Sequence, residues 1–208
     1  TGGPVPLVGG VRQLQSGFVT GALQFATSPS GSLLYVPADQ AGGGLRTLAW
    51  VDREGRVEPA PAEPRTYQYP RISPDGRLAA IDVRDEENDI WIWDIGRDMM
   101  TRLTLNPRLD RYPVWMPDSR RVAFASDREG VLNLYWKAAD GTGSVERLTE
   151  SPYGQHSYSV SPDGTALVFR QVDPETRDDL AVLSLEGEHR SEPLLNAEFA
   201  ERNAEISP

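Results

Sequence analysis

The sequence lacks the side chains on which many chemically specialised sites depend. It contains no cysteine, which excludes disulfides and thiolate metal sites but leaves the cellular compartment open. His156 and His189 are its only histidines, and two lone histidines do not supply the ligand set of a zinc site. We therefore expect no bound metal and no cofactor.

Long apolar runs are missing and positive charge is scarce. No run of about 18 apolar residues exists, so no segment is predicted to span a bilayer. The first residues show no basic region followed by an apolar stretch, and thus no signal peptide. Lysine and arginine number 21 against 31 aspartates and glutamates, a net charge of −10. Such a surface repels phosphate backbones and anionic lipid, so neither nucleic acid nor a membrane surface is an expected partner.

A helical apolar period is also lacking, and a repeated phrase takes its place. The phrase reads Ser-Pro-Asp-Gly or a close variant, with prolines at positions 29, 74, 117, 162 and 208. In the copy at residues 73–76, serine, proline and glycine stand at the first, second and fourth positions of a type I turn. A period near 45 residues with four short apolar runs per unit is typical of a β-propeller blade.

The clearest unit predicts four strands separated by turns. These strands span residues 67–72, 78–83, 90–93 and 100–104. Equivalent second strands are expected at residues 33–36, 121–125 and 166–170, and equivalent third strands at residues 48–51, 134–137 and 180–185.

We predict an all-β fold: a β-propeller of four-stranded antiparallel blades forming a single domain. Its four full units span about residues 14–62, 63–107, 108–152 and 153–197, with partial units at 1–13 and 198–208. Residues 4–8 resemble a fourth strand and residues 204–207 a first strand. Joining the two ends would give a blade without its second and third strands. We therefore expect the arc of a larger ring, with the ends cut from something longer.

The amino-acid sequence of the repeat resembles that of a known family. Residues 69–76 (YPRISPDG), 89–94 (DIWIWD) and 102–104 (RLT) resemble the TolB-type propeller repeat. Residues 48–55 (LAWVDREG) and 136–143 (WKAADGTG) resemble more specifically the C-terminal propeller of bacterial serine/threonine protein kinases. Ser30 and Ser119 depart from the usual Asp and Gly of the turn. The resemblance implies a ring of about six blades, a larger bacterial signalling protein and an extracytoplasmic location.

No catalytic residues are predicted. Ser73 and Ser161 precede Pro-Asp-Gly in equivalent places, so they are interpreted as turn caps, and no nucleophile elbow is present. The acidic residues 85–89 lack calcium-loop spacing and are interpreted as a solvated turn. The Gly-rich residues 42–44 lack a following Lys-Ser/Thr and are interpreted as a blade loop. The tryptophans, four of which fall in third strands, are expected to pack between blades.

The candidate ligand site lies on the first strands, because these line the central channel of a propeller. Counting back from each turn proline and assuming strict alternation places one set of polar and aromatic residues on the channel face, while a neighbouring position adds others near the rim. The predicted ligand-binding residues are Tyr69, Arg71, Arg111, Tyr112, His156, Ser159, Arg202 and Glu205. Such a funnel suits a small ligand or a peptide. A water-filled channel without a dedicated ligand is the alternative.

Two functions remain open on the sequence alone. The first is a non-catalytic propeller that binds a protein, peptide or small ligand, as the sensory or scaffold part of a larger protein. The second is a substrate-gating propeller of the prolyl oligopeptidase type, with catalysis outside this chain. An arc also leaves blade faces and strand edges uncovered, which predicts a homodimer. The faces expected to be open carry Phe25, Leu34, Val36, Val160, Leu167 and Phe169.

Overall fold

A computed structural model describes residues 13–15, 19–23, 25–27, 31, 33–36, 45–175, 177–195 and 200–206. Within these ranges every regular element is a β-strand, and no helix occurs. The described segments accordingly include no helix able to cross a membrane. The all-β prediction is confirmed.

The strands form four antiparallel four-stranded sheets, with a two-stranded hairpin ahead of them. The hairpin pairs β1 (Gln13–Gln15) with β2 (Val19–Leu23) and was not predicted. The first sheet contains β3 (Phe25–Thr27), β4 (Leu33–Tyr35), β5 (Ala49–Val51) and β6 (Val57–Pro59). The second contains β7 (Tyr67–Ile72), β8 (Leu78–Arg84), β9 (Asn88–Asp94) and β10 (Met99–Arg102). The third contains β11 (Asp110–Trp115), β12 (Arg121–Ser126), β13 (Asn133–Ala138) and β14 (Glu146–Arg147). The fourth contains β15 (Gly154–Val160), β16 (Ala166–Asp173), β17 (Arg177–Ser184) and β18 (Ser191–Leu195).

The repeated phrase makes the turn between the first and second strands of a sheet. The amide of Gly76 donates to the carbonyl of Ser73 at 2.8 Å, and the Ser73 hydroxyl accepts from the amide of Leu78 at 3.0 Å. The same hydroxyl donates to Asp75 Oδ1 at 2.6 Å. The serine therefore caps the turn rather than facing a substrate. The copy at residues 28–30 lies outside the described residues.

The core consists of layers between neighbouring sheets. Trp93 is fully buried between the first two sheets, with its ring centroid 5.8 Å from that of Trp50. Phe124 fills the next layer, and Phe169 fills the layer between the third and fourth sheets. Full burial of such a side chain contributes about 1.5–3 kcal/mol, so these layers hold the sheets face to face.

Five of the six residues expected on open blade faces lie in these layers, and one of the five, Val160, is only half-buried against the layer between the third and fourth sheets. Leu34 and Val36 are buried against the second sheet, and Leu167 and Phe169 against the third. That part of the prediction is wrong, because each sheet has two faces and these side chains point toward the neighbour within the same chain. Phe25 is 37% exposed. The homodimer itself stays a prediction.

The outermost predicted segments are described only in part. The strand-like residues 4–8, the glycines at 42–44 and residues 207–208 lie outside the described residues. Residues 204–206 are described but belong to no strand. They nevertheless lie along the fourth sheet, where the amide of Ile206 donates to the Ser159 hydroxyl at 3.2 Å.

Candidate functional site

The first strands of successive sheets pack side by side, β3 against β7, β7 against β11, and β11 against β15. Together they surround a cavity of about 1390 Å³. The segment at residues 200–205 lines its remaining side. The cavity therefore lies where a propeller has its central channel, and its lining comes from all four sheets.

Each of the last three first strands is interrupted at an equivalent place. In β7, Gln68 pairs with Asp82 and Arg71 pairs with Ala80, so two residues of β7 face one residue of β8. This extra residue is a β-bulge, which bends a strand and re-aims its side chains. The same register shift occurs in β11 between Arg111 and Val114, and in β15 between Ser157 and Ser159.

Proline explains where two of these bulges fall. Tyr69-Pro70 and Tyr112-Pro113 occupy the shifted positions, and proline has no amide hydrogen to donate to the ladder. Both tyrosines adopt left-handed backbone angles, with φ of 45° and 58°. For a side chain of this size such a conformation costs about 1–2 kcal/mol. Backbone strain of this kind clusters at binding and active sites.

The bulges bring aromatic rings together in the cavity wall. The rings of Tyr69 and Tyr112 meet edge to face with centroids 4.8 Å apart. His156 stacks on Tyr112 at 4.4 Å. The Arg84 guanidinium lies 5.5 Å and 5.7 Å from the two tyrosine centroids. Burial raises the pKa of the Tyr69 phenol, so this ring is neutral at physiological pH.

Arg84 is held in place by a carboxylate behind the rings. Asp82 is fully buried and accepts from Arg84 Nε at 2.9 Å and from Nη2 at 2.8 Å. Burial raises the pKa of the Asp82 carboxyl, while the hydrogen bonds and charge of Arg84 act in the opposite direction. Removing one member of such a pair would leave an uncompensated buried charge.

His156 is surrounded by cations. Arg170 Nη2 lies 2.9 Å from both ring nitrogens. Burial and then the charges of Arg170, Arg111, Arg84 and Arg202 hold the pKa of His156 well below its usual range. The ring is therefore neutral at physiological pH, and its unprotonated nitrogen accepts a hydrogen bond from Arg170.

Two more arginines complete the wall beside His156. Arg111 Nη2 donates to Asn88 Oδ1 at 3.0 Å. Arg202 forms an ion pair with Asp178, which also lies 3.4 Å from Arg170 Nη1. One carboxylate is thus shared by two guanidinium groups.

The cavity is positive although the chain is acidic. Its described lining contains six arginines and three carboxylates, whereas the whole chain carries a net charge of −10. The arginines are Arg71, Arg84, Arg111, Arg170, Arg177 and Arg202, and the carboxylates are Asp173, Asp178 and Glu205. Such a local reversal of sign concentrates anions in the cavity.

The structure brings seven of the eight predicted site residues to this cavity. Its lining includes Tyr69, Arg71, Arg111, Tyr112, His156, Arg202 and Glu205. Ser159 is not among the described lining residues, since its hydroxyl accepts the Ile206 amide instead. The assumption of strict alternation is wrong, because the bulges shift the phase of the last three first strands and add Tyr158 to the wall.

Sequence reasoning missed the second-strand residues of the site. Arg170 pairs with His156, Ala125 with Arg111, and Asp82 with Gln68, so all three stand opposite the same first-strand position. Each lies eight residues after its turn proline, so counting forward from the prolines would have identified these positions as equivalent. Arg84 lies two residues further along β8 and therefore points to the same side as Asp82.

The acidic residues 85–89 form local hydrogen bonds and ion pairs. Asp85 accepts from Arg65 Nε at 2.7 Å and from the Thr66 amide at 2.9 Å. Asp89 pairs with Arg102 at 2.7 Å. Among the described residues no three His, Cys, Asp or Glu side chains are grouped as a metal site would require.

Comparison with known proteins places this geometry in a family. The family model described as the TolB beta propeller domain matches residues 54–208. The uncharacterized protein Atu1656 of Agrobacterium fabrum is 31% identical over 152 residues, which cover 73% of this chain and 51% of that protein. The uncharacterized peptidase YuxL of Bacillus subtilis is 35% identical over 107 residues, covering 48% of this chain and 16% of that protein. The chain thus spans about half or less of the length of these relatives.

A solved structure shows the same fold. TolB from Acinetobacter baumannii superposes with a TM-score of 0.70 at 22% identity, covering 86% of this chain and 44% of that one. The four sheets therefore correspond to part of a propeller, as the repeat predicts.

Proposed function

The chain belongs to the TolB β-propeller domain family, and we propose that it is a non-catalytic binding module whose ligand enters the central cavity. The ligand is a small molecule or the end of a peptide. The module is the sensory or scaffold part of a larger bacterial protein, as the resemblance to kinase-linked propellers suggests.

One observation carries this proposal. Equivalent bulges in neighbouring first strands turn Tyr69, Tyr112 and Tyr158 toward one cavity, and for the first two the backbone adopts left-handed angles. A water-filled channel needs neither strain nor repeated bulges. A concave wall with aromatic surface and a few fixed polar groups is what ligand sites have in common.

Support for a non-catalytic role comes from the family and from the site. TolB-like propeller domains are generally non-catalytic. The serines that precede Pro-Asp-Gly cap turns, as the Ser73 and Ser161 hydroxyls show by bonding to Asp75 and Asp163.

The test measures binding of small molecules and short peptides from libraries to the purified chain, by NMR or by isothermal titration calorimetry. We expect hits that Tyr112→Ala weakens by about tenfold, since one well-packed aromatic contact has roughly that effect. Tyr153→Ala is the matched control, because Tyr153 is half-buried outside the cavity lining. Equal weakening by both changes, or no hit from either library, would contradict the proposal.

A peptidase-linked gate is the second candidate, and the likeness to YuxL favours it. In that arrangement the cavity would admit short peptides toward a catalytic domain elsewhere in the polypeptide. The discriminating measurement is peptide hydrolysis by the full-length protein. Turnover that falls when Tyr112 is changed, in a protein carrying a hydrolase domain, would favour the gate over the sensor.

A further inference from the structure

We propose that the cavity ligand is an anion, a carboxylate or phosphate group attached to a flat apolar body. In this arrangement Arg111, Arg170 and Arg202 hold the anionic group. Tyr69 and Tyr112 pack on the apolar part. The inference rests on the proposed function and specifies its ligand class.

The first argument is that the cavity wall contains more guanidinium groups than carboxylates. Arg84 has its own buried carboxylate in Asp82, whereas Arg170 and Arg202 both pair with Asp178. Arg111 Nη2 donates to the amide oxygen of Asn88, and Arg111 also lies close enough to Asp82 for the two charges to attract each other. Guanidinium groups that share one wall repel each other, and an anion bound among them would reduce that repulsion.

The second argument is unused hydrogen-bonding capacity. Arg111 Nε and Arg170 Nε are both buried and have no hydrogen-bond partner within the described structure. A buried donor without a partner is costly, and guanidinium forks match carboxylate and phosphate oxygens in geometry. Arg170 contacts the His156 ring, and Arg111 directly precedes Tyr112, on which that ring stacks.

The neighbouring histidine adds no positive charge to the site. A protonated imidazole would have supplied one more donor for an anion, but burial and then the surrounding arginines hold the pKa of His156 low and keep the ring neutral. The ring then serves as a flat wall and an acceptor for Arg170. The cations responsible for the anion site are therefore arginines, whose charge does not change over the physiological pH range.

The apolar part of the ligand is inferred from the apolar side chains of the same cavity. Phe25 and Ile72 line it together with Tyr69, and Phe25 is 37% exposed. A cavity that carries both an exposed aromatic side chain and several arginines suits a ligand that is anionic at one end and flat and apolar at the other.

The experiment compares matched probes on the unaltered chain at low ionic strength. Benzene-1,3-dicarboxylate and phenyl phosphate are the anionic probes, and benzene-1,3-dicarboxamide is the neutral probe of the same shape. We expect at least one anion to bind about tenfold more tightly than the diamide, because charge-assisted hydrogen bonds are roughly twice as strong as neutral ones. Which anion binds better distinguishes carboxylate from phosphate. Added salt should weaken the binding of the anionic probes but not the binding of the diamide.

A pair of variants locates the effect. Arg111→Gln should lower the affinity for the anionic probes by about tenfold and leave the affinity for the diamide unchanged. Arg108→Gln removes the same charge from an exposed residue that is not part of the cavity lining, and it should leave the binding of both kinds of probe unchanged. The probe comparison needs no variant, so it decides the matter even if Arg111→Gln does not fold.

The outcomes separate this inference from the function beneath it. If the diamide binds as tightly as the anions and Tyr112→Ala weakens it, the binding module stands and the anion inference is wrong. If the anions bind equally to Arg111→Gln and Arg108→Gln, the anion inference is wrong as well. If none of the probes, small molecules or peptides binds, both proposals are wrong.

Discussion

Each first strand ends in a copy of the repeated turn phrase, here called the turn side, and lines the central cavity along its length, here called the cavity side. The two sides use the same strands but differ in how far their residues repeat from sheet to sheet. On the turn side, Ser73 and Ser161 make the same hydrogen bonds to an aspartate two residues on and to an amide five residues on. On the cavity side, the residue six before each of the last four turn prolines is Gln68, Arg111, His156 or Arg202. Identical residues repeat where the chain must only turn, and different residues appear where the strands converge.

This difference separates the demands of folding from those of recognition. A turn has the same job in each sheet, so one solution is repeated. A ligand meets each sheet at a different angle, so a wall made from several sheets needs different side chains. The variable positions of a repeat are therefore better guides to function than its conserved-looking phrase.

The largest expected effect comes from the cavity side. Asp82→Ala should lower the free energy of unfolding by about 3–5 kcal/mol, because it leaves the Arg84 charge buried without its partner. Glu188→Ala is the control, since its ion pair with Arg190 is 79% exposed on both sides and should matter by less than about 1 kcal/mol. Urea denaturation measures both. Similar losses of unfolding free energy for the two variants would mean that the Asp82–Arg84 pair contributes no more to stability than an exposed ion pair.

The turn side should respond more weakly and according to burial. Ser73 is 1% exposed, so Ser73→Ala should cost about 1–3 kcal/mol by leaving the Leu78 amide without its acceptor. Ser161 makes the equivalent bond to Ala166 but is only half-buried, so Ser161→Ala should cost about 0.5–1.5 kcal/mol. Thermal and urea unfolding of both variants give the comparison. A larger loss at Ser161 would contradict it.

Acidification should reveal the histidine of the cavity wall. The pKa of His156 is depressed in the folded state, so below about pH 6.5 the unfolded chain binds a proton that the folded chain does not. This contribution to stability is present above pH 6.5 and is lost as pH falls, by at most about 1.4 kcal/mol per pH unit. The measurement is urea unfolding between pH 7 and 5.5 for the wild type and His156→Gln. A slope that is equally steep without His156 would show that other groups cause it.

The smallest effect concerns the turn that has serine in place of the usual glycine. Ser119 has a φ of 57° where the equivalent Gly76 and Gly164 have 74° and 76°. Ser119→Gly should therefore change the free energy of unfolding by less than about 1 kcal/mol, since relief of strain is offset by greater freedom of the unfolded chain and by loss of the hydrogen bond that the Ser119 hydroxyl accepts from the Asp75 amide at 3.1 Å. Gly164→Ala is the reverse change and should destabilise by about 1–2 kcal/mol, because its φ is strained for any side chain. A stabilising Gly164→Ala would contradict this reasoning.

Much of the site could be predicted from spacing alone, and the reason for the remainder is physical. The prolines gave a common origin for counting, so Arg111, His156 and Arg202 were found as equivalent residues although their types differ. Ser159 was misplaced because its hydroxyl accepts the Ile206 amide, a contact that counting along one strand does not show. Arg170 was missed because counting along one strand does not show which residue stands opposite.

The spacing of the turns is enough to predict the architecture of this protein. A turn phrase every 45 residues or so, with four apolar runs between copies, is typical of stacked four-stranded sheets that bury their side chains between them. Which side chains line the cavity depends on how the strands pair and pack. The bulges at Tyr69 and Tyr112 reset the alternation, and strand pairing put Arg170 against His156. Periodicity is a local property that the chain carries with it, whereas register and convergence exist only once several sheets have packed around one axis.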